Sequence, residues 1–225
     1  SKNKDNIIGY KNDLLFTCKD DMNYFKEITT YSYKINQKNI VIMGYNTWLS
    51  IPDKFKPLDN RINIVITKNH YDDFKNDMSE ILVFKSFNEC YKFLEMEENK
   101  GNMLGDKFII GGGKLYNLIF NDYLLVIDKI YETNINYFTK SNQLHYENIL
   151  EENKLFSTLD FDIQKYKRFN CINKKYCDEV EVKCNYDNKI FHGVEYKIYQ
   201  NNENINKKEK QYLDLMKKIL FKNNI

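Results

Sequence analysis

The chain has 225 residues, of which 42% are hydrophobic, 15% aromatic and 29% charged, enough apolar material for one core with a remainder. Thirty-four basic against 32 acidic side chains leave a formal charge of +2, which excludes nucleic-acid or membrane-surface binding through bulk charge. No apolar run approaches the ~20 residues needed to cross a bilayer.

Cys18, Cys90, Cys171, Cys177 and Cys184 are odd in number and scattered, with no C-x-x-C pair, so neither a disulfide framework nor a structural zinc is expected and a reducing cytoplasm fits best. His70, His145 and His192 stand alone, and no metal is assigned. Ser1 to Asn6 lack the apolar core of a signal peptide, and the absence of a starting Met is compatible with a start inside a longer polypeptide. Only Arg61 and Arg168 among the basic residues are arginine, so an arginine here points to a need for the guanidinium fork.

Met22, Phe25 and Ile28 follow helical spacing, with Asp21 on the same face. A carboxyl on an apolar face is desolvated, and its raised pKa suits proton transfer near neutrality; an acid near a helix start equally reads as a cap or dipole partner. Asn39 to Gly44 (NIVIMG) reads as a buried strand, followed by a short helix carrying Thr47, Trp48 and Ser50. Pro52 and Pro57 then stiffen a loop that delivers Arg61 beside Ile51 and Leu58. That setting suits bidentate capture of a carboxylate on a partly apolar ligand; a salt bridge to a neighbouring helix is the alternative. Ile62 to Thr67 and Ile81 to Phe84 are further strands, and Ser86 with Glu89 forms a capping box for a helix built on Phe87, Cys90, Tyr91 and Leu94.

The strand Phe108 to Ile110 runs into Gly111, Gly112 and Gly113 and the helical KLYNLIF, a strand, glycine turn and helix that can cradle a phosphate or serve only as a tight packing turn. Alternation of strand and helix predicts an α/β fold with a mostly parallel sheet, helices on both faces and ligands beyond the strands' carboxyl ends. Asp128 to Ile135, Asp160 to Phe169, Val180 to Cys184 and Val194 to Tyr199 read as strands of an antiparallel C-terminal edge. Asn201 to Lys208 has a linker composition, and Tyr212, Leu215, Met216, Ile219 and Leu220 line one helical face.

Taken together, IIGYKNDLL, DMNYFKEIT, VIMGYNTWLSIP, KPLDNRINIVIT and FIIGGGKLYNLIF resemble the motifs of dihydrofolate reductase, in order, over residues 5 to 200. The resemblance implies a twisted, mostly parallel eight-stranded sheet and hydride transfer from NADPH to C6 of dihydrofolate with protonation at N5. Carried over by position, Asp21 resembles the buried acid that binds the pterin, with Thr133 as its hydrogen-bonded neighbour. Met22, Phe25, Ile51, Leu58 and Ile110 fall on the substrate side, and Arg61 is the fork for the substrate's α-carboxylate. Ile8, Gly9, Asn12 and Leu14 resemble a mobile loop that closes over nicotinamide. The glycines 111 to 113, Leu115, Tyr116, Gly44, Thr47, Thr67, Lys68, Lys85 and the adjoining Ser86 fall on the cofactor side.

There are departures from the family pattern. Leu15 and Phe16 stand where the family has Pro-Trp, and Tyr45 stands where a basic residue grips the 2′-phosphate, a charge Lys68 could supply. Ser141, Asn142 and Gln143 replace a Gly-Asp-Thr loop, and the family's first strand would precede Ser1. The tail EKQYLDLMKKIL resembles the opening helix of thymidylate synthase, implying a reductase domain over 1–200, a linker over 201–208, a synthase start over 209–225 and a homodimer through the fused synthase. Two alternatives stay open: a degenerate, non-catalytic scaffold for a fused synthase, and a same-fold reductase of a riboflavin-pathway pyrimidine.

Overall fold

The computed structural model describes residues 7–32, 37–74, 80–102, 104–135, 156–158, 169–185 and 190–201. Ser141 to Gln143, Asp160 up to Arg168, the linker beyond Asn201 and the tail helix lie outside these residues. The chain forms two compact units, the described parts of Ser1–Tyr24 with Asn117–Ile225, and Phe25–Tyr116.

The second unit is built on a parallel sheet. Its strands are β4 (Asn39–Gly44), β5 (Arg61–Ile66), β6 (Ile81–Phe84) and β7 (Lys107–Gly111), in spatial order β6-β5-β4-β7. Every pairing is parallel, as expected for β-branched runs separated by helices. β4 reads Asn-Ile-Val-Ile-Met without polar alternation because both its faces are covered, and all five residues are buried. One face forms a core of Val41, Met43, Val65, Phe74, Ile81 and Val83, against which Trp48, Ile51, Leu58 and Ile110 pack.

The helices are α1 (Lys19–Thr30), α2 (Tyr45–Ser50), α3 (Phe87–Asn99) and α4 (Gly113–Asp122). The chain passes from one unit to the other within α1 and within α4. α3 buries Phe87, Cys90 and Leu94, the predicted face. Its capping box is modified: the Glu89 backbone N–H donates to Ser86 Oγ at 3.2 Å, while Glu89 Oε2 accepts from the backbone N–H of Lys85 at 3.1 Å rather than from that of the cap residue itself.

In the first unit, β1 (Ile7–Tyr10), β2 (Asp13–Leu14) and β9 (Phe156–Thr158) form one antiparallel sheet in the order β2-β1-β9. β3 (Phe16–Thr17), β8 (Lys129–Ile135), β10 (Phe169–Cys184) and β11 (Ile190–Asn201) form another, ordered β3-β10-β11-β8. The antiparallel C-terminal edge is as expected, but β10 is 16 residues long where only Val180 to Cys184 was legible. Its first part, Asn-Cys-Ile-Asn-Lys-Lys, has low strand propensity and is extended by its ladder with β11, in which the register slips between Cys171 and Asn173 and between Cys177 and Glu181. Leu15, Cys18, Val182, Cys184, Val194, Tyr196 and Ile198 are buried in this unit.

One side chain fastens several elements of the second unit. Asn39 is fully buried; its Nδ2 donates to the carbonyls of Thr29 (3.1 Å) and Tyr31 (2.7 Å) at the end of α1, and its Oδ1 accepts from the Asp106 backbone N–H (2.9 Å) ahead of β7. It thereby satisfies carbonyls that a helix terminus leaves without partners. Asn39→Ala strands all three groups, and urea unfolding should show a loss of about 2–3 kcal/mol, with the midpoint shifted and the slope unchanged.

Candidate active site

Asp21 lies in the first turn of α1, where the helix dipole favours a negative charge. Thr133, on β8, donates from Oγ1 to Asp21 Oδ1 at 2.7 Å. Burial pushes the Asp21 carboxyl above the ordinary carboxylate range, and the Thr133 bond opposes that shift only in part. The capping role that competed for Asp21 belongs instead to Cys18: its buried Sγ accepts from the Asp21 backbone N–H at 3.4 Å. Cys18 is a residue that sequence reasoning missed, because thiols are weak acceptors and carry no capping signal.

On the same helix Phe25 is half-buried, whereas Met22 is 47% exposed. The predicted apolar stripe therefore narrows to Phe25 and Ile28, together with Tyr24, which is buried edge-on against Tyr196 with ring centroids 5.1 Å apart.

Ile8, Gly9, Asn12 and Leu14 form a β-hairpin where the resemblance implied a loop. Tyr10 pairs with Asp13 and Gly9 with Leu14, and the two turn residues, Lys11 and Asn12, have φ of 50° and 62°. These are the left-handed values that a two-residue hairpin turn requires. Asn12 and Leu14 are exposed, and Gly9 is buried. The following segment is pinned by Asn185, unnoticed in the sequence: its Nδ2 donates to the Leu14 carbonyl (2.8 Å), its backbone N–H to the Leu15 carbonyl (2.8 Å), and its Oδ1 accepts from Thr17 Oγ1 (2.9 Å). Leu15 is buried and Phe16 half-buried on this pinned stretch.

In the second unit the glycine turn stands beside the end of β4. Gly111 is in register with Met43, and the Gly111–Gly112 peptide is cis. Gly111 has φ +111°, and a Cβ there would meet the Tyr116 ring at 3.1 Å; at Gly112 it would meet Thr47 Oγ1 at 3.1 Å. Gly44, Thr47, Gly111, Gly112 and Tyr116 are thus brought together by close backbone approach, the purpose for which glycine is suited. Gly113 opens α4, whose first turn contains no acidic residue, leaving its N–H groups able to receive an anion. Leu115, on the first turn of α4, is buried at 7%.

Arg61 begins β5 and is buried at 8%. Its Nε donates to the Asp59 carbonyl (3.0 Å) and Nη1 to Thr29 Oγ1 on α1 (2.8 Å), and the guanidinium lies 6.0 Å from the Phe25 ring centroid. The helix contact anticipated as a salt bridge is therefore a neutral hydroxyl, and no carboxylate among the described residues forms an ion pair with Arg61. Burial lowers the guanidinium pKa, with Asp59 nearby acting the other way. The loop before it is held by Asn63, whose side chain bonds both the N–H and the carbonyl of Leu58 at 2.9 Å. Ile51, Leu58 and Ile110 are half-buried and pack on the core.

At the next strand ends, Thr67 is buried and accepts from the His70 backbone N–H at 3.2 Å, Lys68 is exposed, and Lys85 Nζ sits 4.9 Å over the Tyr71 ring. No group of three or more His, Cys, Asp or Glu among the described residues could hold a metal. No helix among them is long and apolar enough to cross a membrane.

Comparison with known proteins returns one family. A family model described as dihydrofolate reductase matches residues 1–171. The dihydrofolate reductase of Saccharomyces cerevisiae is 34% identical over 66% of this chain and 68% of its own length. That of Candida albicans is 36% identical over 52% of this chain and 57% of its own. The bifunctional dihydrofolate reductase-thymidylate synthase of Acanthamoeba polyphaga mimivirus is 36% identical over 59% of this chain but only 23% of its own.

The raised carboxyl at position 21 has a consequence for stability. Because the folded state holds that proton more tightly than the unfolded state, the contribution is favourable at low pH and is lost as pH rises through the folded pKa. Asp21→Asn removes the cost of ionising a buried group, so its melting temperature should exceed the parent's at pH 8 and the difference should close toward pH 4, as followed by circular dichroism.

Proposed function

Because the chain belongs to the dihydrofolate reductase family, whose members reduce dihydrofolate to tetrahydrofolate with NADPH, we propose that Asp21 and Thr133 form its proton-handling pair, Arg61 its substrate anchor and residues 111 to 113 its cofactor turn. The observation that carries this reading is the desolvated Asp21 carboxyl, which has a fixed donor on one oxygen and a pKa moved toward neutrality. The family match favours the reductase reading over the same-fold pyrimidine reductase and the non-catalytic scaffold.

NADPH, when bound, supplies the hydride. Its diphosphate suits the α4 N-terminus beyond Gly111 and Gly112, where backbone rather than side chain lines the approach and no acidic group opposes an anion. Asp21 holds the amino edge of the pterin with one oxygen while Thr133 orients the other, and its elevated pKa favours the proton inventory that N5 protonation requires. Arg61, fixed by the Asp59 carbonyl and Thr29 with no ion pair to a described carboxylate, accepts the carboxylate of the substrate tail, with Phe25 and Leu58 as apolar neighbours. Ile8, Gly9, Asn12 and Leu14 close on the nicotinamide as a hairpin, and Met22, Ile51 and Ile110 contribute apolar surface to the substrate.

The tail resembling thymidylate synthase, together with the mimivirus relative being named as bifunctional, supports the further proposal that this is the reductase part of a cytoplasmic fused enzyme that dimerises through its synthase.

Two activity measurements test the site. Asp21→Asn should lower kcat for dihydrofolate by about a hundredfold or more at pH 7 and by less at acid pH, where the substrate arrives protonated; an unchanged rate at pH 7 would refute the assignment. Arg61→Lys keeps the charge but not the fork, and should raise the KM for dihydrofolate roughly tenfold with kcat little changed. The same KM for both proteins would remove Arg61 from the site.

A further inference from the structure

NADPH differs from NADH by one phosphate on the adenosine ribose, so a chain that uses it needs cations beyond the carboxyl ends of its parallel strands. Those ends carry an arrangement that the family resemblance does not account for. Tyr45, the first residue of α2, offers no charge, but its ring stacks flat on His70, with centroids 4.1 Å apart and planes inclined by 8°. His70 lies in the turn after β5, its backbone N–H bonded to Thr67 Oγ1 at 3.2 Å and its Nδ1 to Asp73 Oδ2 at 2.9 Å. Tyr45 is itself seated edge-on against the buried Phe74, at 5.9 Å and 87°. An imidazole that is 47% exposed is thus fixed on one face and one edge, which is uncommon for a surface histidine with no task.

Hydrogen-bond chemistry specifies the remaining edge. A carboxylate only accepts, so the nitrogen facing Asp73 carries the proton and Nε2 is left outward. Two further cations stand on adjoining strand ends, Lys68 after β5 and Lys85 after β6, neither in an ion pair with a described residue.

We propose that His70 is a specificity-determining residue for the cofactor: held by Asp73 and stacked on Tyr45, it presents Nε2–H to the 2′-phosphate of NADPH, together with the ammonium groups of Lys68 and Lys85. The inference rests on the reductase reading above. It explains how a tyrosine is tolerated at position 45, since the charge is carried by the ring lying on the tyrosine rather than by residue 45 itself. A phosphate oxygen accepts hydrogen bonds, so Nε2 donates to it while Nδ1 stays on Asp73. Asp73 is bonded to that ring and Tyr45 is stacked on it.

The test measures dissociation constants of NADPH and NADH by quenching of Trp48 fluorescence in the full chain and its His70→Gln variant. His70→Gln should weaken NADPH roughly tenfold and leave NADH within about twofold. Asp73→Asn, which frees the ring, should lose part of the same preference. Equal weakening of both cofactors would assign His70 a merely structural role and overturn the proposal, as would unchanged NADPH affinity. If the parent chain binds neither cofactor, the reductase reading falls and this inference with it; if it binds NADPH tightly but His70→Gln has no effect, only this inference falls.

Discussion

A carboxyl group withdrawn from water, with no counter-charge paired to it among the described residues, is the constraint on which the first unit turns. Desolvation at Asp21 disfavours ionisation, and what makes the position tolerable is a neutral hydroxyl from β8 on one oxygen and the positive end of α1 beneath it. A cationic partner would have stabilised the fold further but would have pinned the group as a permanent anion. Thr133 opposes the shift without cancelling it, a setting consistent with the proton-handling role proposed for Asp21. Thr133 is itself placed by the ladder between β8 and β11, in register with the buried Tyr196, so the chemistry of α1 depends on strand pairing more than 100 residues later in the chain.

The second unit is constrained differently, by close backbone approach at a glycine turn and by a buried guanidinium. Glycine at 111 and 112 permits an approach to Tyr116 and Thr47 that any side chain would obstruct. Arg61 is buried yet bonded only to a carbonyl and a hydroxyl, so its hydrogen-bonding need is partly met while its charge stays available. Asn39 and Asn63 hold the surrounding loops, so the arrangement around Arg61 and the β4 end depends on buried amides.

Much of this architecture is legible in local pattern. β4 and β6 coincide with the runs read from Asn39 to Gly44 and Ile81 to Phe84, because fully covered strands leave an uninterrupted β-branched signature. Ser86 and Glu89 announce α3 for the same local reason, and a glycine triplet after a strand announces the turn before α4. The hairpin over Ile7–Leu14 and the early part of β10 escaped, the first because its turn is Lys-Asn rather than Asn-Gly, the second because a polar strand is made by its partner.

By itself, then, the sequence determined the alternation of strand and helix and the family, and it singled out Asp21, Arg61 and the glycine turn as candidates, since each is written in residues close together along the chain. The pairing of Thr133 with Asp21 came from the family resemblance, and only tertiary structure decided the others: Thr29 rather than a carboxylate at Arg61, Asn185 across the Leu14 to Thr17 segment, and His70 flat against Tyr45. Those contacts join residues 25 to 171 positions apart, and no periodicity or spacing encodes a pairing that exists only once loops have closed and burial has chosen among donors.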